Sequence, residues 1–182
     1  MVSSSPISIC ACASLKRASR AINHLYDLVL APTHLRITQF LMLCAIAESK
    51  EIAHCDLARR FFAAEATLSR RLASARKAGW VQMKVDAHRR RVYRLTEAGQ
   101  ILLRSAVPNW ERAQERLRSQ LDEKDWSALT AFTERVTLAA VAAEKAPSRN
   151  SRPALIHEHA AGSLDLRSIQ GGCFPMSQSA AE

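Results

Sequence analysis

EATLSRRLASARKAGWVQMKVDAHRRRVYRL, residues 65–95, is the stretch on which the fold turns. At about 100° per residue, Leu68, Leu72 and Ala75 fall on one side of a helix, and Thr67, Arg70, Arg71, Ser74 and Lys77 on the other. The pattern predicts a helix over about residues 65–78, with Gly79 where a C-terminal cap belongs. Residues 81–85 and 91–95, β-branched and aromatic in part, flank a turn at 86–89 and predict a two-stranded hairpin. Between Arg70 and Arg94 there are nine basic side chains against the single acid Asp86, a net +8, when the whole chain carries +9. A solvated helix face mixes signs, as residues 111–124 do. One sign concentrated on a helix and the adjacent hairpin is the footprint of a phosphate-binding surface. A basic membrane-surface helix fits less well, because the charges straddle a hairpin rather than one amphipathic face.

Outward from this stretch the chain is helical. Leu15, Ala18, Ile22, Leu25 and Val29 give one apolar stripe over about residues 12–30, which Pro32 ends. Residues 38–48 are apolar nearly all round, as a buried helix is, and a short helix follows at about 54–61. After the hairpin, Thr96 stands as N-cap of a long helix with Leu103, Ala106, Trp110, Ala113 and Leu117 on one side and Pro108 inside it to bend it. The last helix, about 123–144, carries Trp126, Leu129, Phe132, Val136 and Ala140. Helix, short turn, helix and basic hairpin make a mainly α, winged helix-turn-helix fold, with long N- and C-terminal helices beside it.

Such a helix suits the major groove. Arg70 and Arg71 are the candidates for base edges, where arginine pairs bidentately with guanine. Thr67, Ser69, Ser74 and Lys77 are candidates for positioning the helix on phosphates, although the three hydroxyls serve local backbone hydrogen bonds about as well. His88, Arg89, Arg90 and Arg91 occupy the hairpin tip, within reach of the neighbouring minor groove or backbone.

Composition narrows the alternatives. A pI of about 9.9 favours a polyanionic partner. No apolar run is long enough to cross a bilayer. Residues 1–13 lack a basic n-region, the first positive side chain being Lys16, so a signal peptide is disfavoured and the expected location is the cytoplasm. The five cysteines, Cys10, Cys12, Cys44, Cys55 and Cys173, form an odd set without zinc spacing, as a reducing compartment allows. Cys10 and Cys12 are redox candidates; the alternative is that they are simply small residues of an N-terminal arm. Cys44 lies in an apolar helix and Cys55 suits packing. Among the histidines only His157-x-His159 has any ligand-like spacing, and it is weak, so no metal is expected. There is no glycine-rich phosphate loop and no Gly-x-Ser-x-Gly, and neither enzyme nor cofactor is expected. From Lys145 the periodicity dissolves into a Pro-, Ser- and Gly-bearing tail, with one weak helical possibility at 155–166.

Taken together, Leu35 to Phe40, Asp56-Leu57-Ala58, Ala66 to Leu72, Lys77 to Val81, Asp86 to Arg91 and Leu95 to Gly99 resemble the MarR-type (multiple antibiotic resistance) winged-helix regulators, over about residues 12–143. The resemblance implies a homodimer whose first and last two helices intertwine, each winged helix reading half of a pseudo-palindromic operator on double-stranded DNA, as a repressor. It divides the chain into an arm (1–11), a winged-helix domain (12–144, with dimerisation helices about 12–31 and 97–144 around a DNA-binding lobe at 36–96) and a tail (145–182). It also implies a pocket for a small-molecule effector between the dimer helices and the winged helix. Arg20, His24, Arg36 and Trp110 are its candidate lining, and each serves equally well as a packing or salt-bridge residue.

The chain departs from the family pattern twice. Ala64 stands where an N-capping Asp or Ser is usual, with Glu65 after it, and His88 stands where the wing usually has an arginine two places after its aspartate, leaving Arg89–Arg91 to supply the reach. Ala64 and Glu65 give some support to a second reading, a protein-binding winged-helix adaptor without operator recognition. A chain cut after Lys145 should keep its helical content and sediment as a dimer at micromolar concentration; a monomer would show that the tail is an ordered part of the assembly.

Overall fold

The computed structural model describes residues 10–145. Most of the expected arm and tail, with the helical possibility at 155–166, Cys173 and His157-x-His159, lies outside the described residues. The elements are α1 (Ala11–Leu30), a 3-10 turn (Ala31–Thr33), α2 (Ile37–Glu48), β1 (Ile52–Ala53), α3 (His54–Arg60), α4 (Glu65–Lys77), β2 (Val81–Val85), β3 (Arg91–Leu95), α5 (Glu97–Arg118) and α6 (Glu123–Lys145). The chain divides into two compact units between Leu117 and Arg118.

In the first unit the expected apolar faces of α2 and α4 and part of that of α5 are buried together, whereas on α1 Leu15 and Ala18 are exposed, Ile22 and Leu25 half-buried, and Val29 alone of the expected stripe is buried. Leu30, Phe40, Leu43, Ile46, Leu57, Leu68 and Leu72 are sealed from solvent, with Tyr26, Tyr93, Leu103 and Ala106 in the same cluster. The 3-10 turn carries Pro32 at its start and stops α1 where the proline predicts. The turn into α2 is held from α1: Asp27 Oδ1 accepts the Ile37 N–H at 2.7 Å, and its other oxygen lies 3.4 Å from the Arg36 guanidinium. An orphan donor at the start of α2 is thus satisfied by a carboxylate ten residues upstream. In the second unit α6 opens on Asp122, whose Oδ1 accepts the Asp125 N–H at 2.6 Å, and none of residues 123–144 is buried.

The sheet differs from the two-stranded hairpin expected. β2 and β3 pair antiparallel from Val81 opposite Leu95 to Val85 opposite Arg91, and β1 adds a third strand, Ile52 opposite Tyr93 and Ala53 opposite Val92. Two residues are too few for an alternating pattern to show in sequence.

One junction ties α4, the hairpin and α5 together. At the end of α4, Gly79 has φ +77, its N–H donates to the Arg76 carbonyl at 2.9 Å, and the Trp80 N–H donates to that of Ala75 at 3.0 Å. This is the paired closure that a left-handed residue after a helix permits. The Thr96 hydroxyl donates to the Gly79 carbonyl at 2.6 Å and accepts the Gly99 N–H at 3.0 Å, capping α5 as its sequence position predicts. The Thr96 N–H donates to the Trp80 carbonyl at 3.0 Å. Gly99 lies against that same carbonyl, so closely that a Cβ would collide with its oxygen and stand 2.9 Å from its carbon. Backbone cannot step aside as a flexible side chain can. Gly99→Ala should therefore destabilise the chain by about 2 kcal/mol, read as a lower urea midpoint with unchanged slope; an unchanged midpoint would show that α5 shifts freely on the wing base.

Candidate nucleic-acid interface

The polar face of α4 is built as its periodicity predicts. Leu68, Leu72 and Ala75 are buried, while Thr67, Arg70, Arg71, Ser74 and Lys77 are exposed. Arg70 is steadied along its own helix, its Nε 3.3 Å from the Ala66 carbonyl oxygen. Ser69 is different: half-buried, its Oγ lies 3.1 Å from Nε2 of His54, so the structure turns it inward, away from the others. The helix starts on Ala64 without a side-chain cap, and Glu65 stands in its first turn. An acid there favours the positive end of the helix, though it opposes an incoming phosphate.

All nine basic side chains from Arg70 to Arg94 are exposed. Among the described residues only two of them pair with a carboxylate, Lys84 with Glu51 at 2.7 Å and Arg90 with Asp86 at 2.9 Å. Seven guanidinium or ammonium groups on α4 and the hairpin are left for an external anion.

The hairpin tip is organised by Asp86. Its Oδ1 accepts the N–H groups of His88 (2.9 Å) and Arg90 (2.8 Å), and its Oδ2 accepts Arg90 Nε (2.9 Å). Arg89 takes a left-handed conformation, φ +59, at the tip. The aspartate–arginine brace absent at position 88 is thus made by Arg90, two residues further on. The backbone bond from Arg90, with its guanidinium and the His88 N–H beside it, holds the Asp86 carboxyl below the usual carboxylate range. Arg90 is committed to the turn, and His88, Arg89 and Arg91 are the exposed remainder of the tip.

The four candidate effector-lining residues are placed as follows. Arg20 and His24 are exposed on α1, Arg36 is exposed and paired with Asp27, and Trp110, half-buried, stacks on Phe40 with ring centroids 6.0 Å apart. A surface cavity of about 510 Å3 lies elsewhere, lined by Ala73, Arg76, Lys77, Val81, Gln82 and Met83. Cys10 and Cys12 are exposed at the start of α1, Cys44 is buried and Cys55 exposed. No cluster of three or more His, Cys, Asp or Glu that could hold a metal ion occurs among the described residues, nor is any single helix there long and apolar enough to cross a membrane.

No family model and no curated protein sequence matches the chain. Solved structures do. The M. tuberculosis transcriptional regulator MosR in complex with DNA is 30% identical over 74% of this chain and 98% of its own, with a TM-score of 0.67. The chain belongs to the MarR-type family of transcriptional regulators. A second structure of M. tuberculosis MosR is similar at 29% identity, 74% and 97% coverage and a TM-score of 0.65. A mutant E. coli MarR complexed with operator DNA, at 19% identity, 67% and 89% coverage and a TM-score of 0.63, shares the fold.

Within this MarR-type chain, Asp27, His54 and the Asp86–Arg90 brace escaped the sequence reading, because each works through a partner brought in by folding or by a turn. The low native value of Asp86 has a consequence. A depressed carboxylate contributes order that is full above its ordinary pKa and is lost as pH falls through the native one. Protection of the His88 and Arg90 amides from hydrogen exchange, normalised for intrinsic rate, should thus decline on acidification below the usual carboxylate range and be absent at all pH values in Asp86→Ala. Equal protection in the variant would assign the tip's order to the strands alone.

Proposed function

We propose that this chain is a sequence-specific, double-stranded DNA-binding transcriptional regulator, working in the cytoplasm as a homodimeric repressor on a pseudo-palindromic operator. The observation that carries the reading is the single exposed basic surface made by the outward face of α4 and the hairpin, on a chain 30% identical to a regulator solved with DNA. Dimerisation is supported by apolar side chains that the protomer leaves exposed on the long helices, Leu15 and Leu28 on α1, Ile101 on α5 and Phe132 and Leu138 on α6. The domain division read from the sequence goes with this proposal, α1, α5 and α6 serving the dimer and residues 36–96 the DNA.

Arg70 and Arg71 are assigned to base edges and Thr67, Ser74 and Lys77 to phosphates. His88, Arg89 and Arg91 are assigned to the backbone or a narrow minor groove, with Arg90 shaping the tip that presents them. Cys10 and Cys12, exposed at the start of α1 among the proposed dimer helices, are the site through which an oxidant would act. A small-molecule effector remains part of the proposal with Arg20, His24, Arg36 and Trp110 as its candidate contacts.

Affinity for an operator selected from random duplexes and for scrambled DNA, measured across a salt series, tests the assignment. Arg70→Ala should weaken operator binding by about 1–3 kcal/mol per half-site and relax preference at one or two positions. Arg89→Ala should weaken both duplexes alike and lower the salt slope by about 2, because each protomer then neutralises one phosphate fewer. The reverse pattern would exchange reader and clamp, and no effect of either at low salt would favour the protein-binding adaptor.

A further inference from the structure

His54 opens α3 and is 6% exposed. Its Nε2 meets Ser69 Oγ, in the second turn of α4, at 3.1 Å. Its ring lies against Tyr93 of β3, centroids 6.0 Å apart and planes inclined by 49°. One imidazole therefore touches both the helix that carries Arg70 and Arg71 and the strand that descends from the hairpin tip. Packing alone does not require it: an apolar side chain would fill the place without a polar nitrogen to satisfy.

We propose that His54 is a positioning residue for sequence recognition, holding α4 and β3 in one register so that the outward face of α4 and the hairpin tip engage the duplex together. The inference rests on the DNA-binding reading above. Attraction between a +8 surface and phosphates tolerates small shifts of one element against another. Hydrogen bonds to base edges do not, because their donors must sit within a fraction of an ångström of the acceptors. Loosening the register costs discrimination before it costs affinity for DNA in general.

The groups facing His54 are Ser69 and Glu65 on α4 and Arg91 and Tyr93 on β3; β1 contributes no charged side chain, and on its own helix Cys55 and Asp56 follow it. Burial pushes the imidazole below the ordinary histidine value, Arg91 adds to this, and Glu65 opposes it. A depressed histidine supports the native arrangement fully above its unfolded value of about 6.5, and that support is lost as pH falls through the lower native value. Protonation places a charge in this sealed place beside Arg91 and fixes Nε2 as a donor, so Ser69 can then only accept from it and the strain falls on the packing against Tyr93.

The test compares the full chain with four variants, H54F, H54Q, S69A and the H54F/S69A double, measuring the ratio of affinities for the duplex that the native chain selects from random sequence and for a scrambled one, from pH 8 downward. His54→Phe keeps a ring against Tyr93 and removes the nitrogen; His54→Gln restores a polar group near the place of Nε2 without a titrating proton. The ratio should fall about tenfold in H54F, with affinity for scrambled DNA unchanged, and be largely kept in H54Q. Ser69→Ala should add nothing in the H54F background, because the two side chains act through one bond. Acidification should lower the ratio of the native chain more than that of H54Q. A native ratio in H54F, or full additivity of S69A with it, overturns the inference while leaving DNA binding in place. Failure of the native chain to select any duplex overturns the DNA-binding reading and this inference together.

Discussion

The contact of Gly99 with the Trp80 carbonyl is the constraint on which the rest depends. That carbonyl also accepts the Thr96 N–H, and the Thr96 hydroxyl spans from the Gly79 carbonyl to the Gly99 N–H. The exit of α4, the base of the hairpin and the start of α5 are thereby drawn to one point through backbone atoms and the Thr96 hydroxyl. Side chains change rotamer, but a backbone closure of this kind leaves little play. The exposed arginines of α4 and those of the hairpin consequently share one frame, although about fifteen residues or more separate most of them in the chain.

The surface so framed is built against the protein's own stability. Nine like charges on adjacent elements repel, and α4 lacks the side-chain cap that would satisfy a first-turn donor. The local compensations are few: Asp86 organises the tip, Glu51 pairs with Lys84, and Glu65 faces the positive end of α4. Most of the holding is left to apolar burial behind the helix, through Leu68, Leu72 and Ala75. An arrangement in which charge is left unpaired outside and cohesion is supplied from the core is what a polyanion-binding surface requires.

Much of the fold was legible because its signals are periodic. The apolar spacing of α1, α4 and α5, Gly79 after α4, Thr96 before α5 and the flanks of the hairpin fall within a residue or two of where their side-chain patterns place them. The unread features depend on partners remote in sequence or on backbone shape. Nothing in Ile52-Ala53 announces a strand, since its order comes from β3. Phe62 adopts φ +45 in the turn between α3 and α4 while 57% exposed, in a Phe-Phe-Ala-Ala run that holds none of the usual turn residues. The outward residues of the basic surface were legible from one helical wheel, except Ser69, which a wheel sets near the boundary and His54 claims. Asp27 could be read as a surface acid of α1 until folding set Ile37 and Arg36 beside it.

On the function proposed above, the outward face of α4 and the hairpin tip meet duplex DNA as one surface. A map of backbone amide shifts of the full chain, recorded as its selected duplex is added, tests this most directly. Shifts should concentrate on α4, from Glu65 to Lys77, and on the tip from Asp86 to Arg91, both saturating at the same duplex concentration. Shifts confined to one of the two, or centred on α1 and α6 with α4 unmoved, would contradict it.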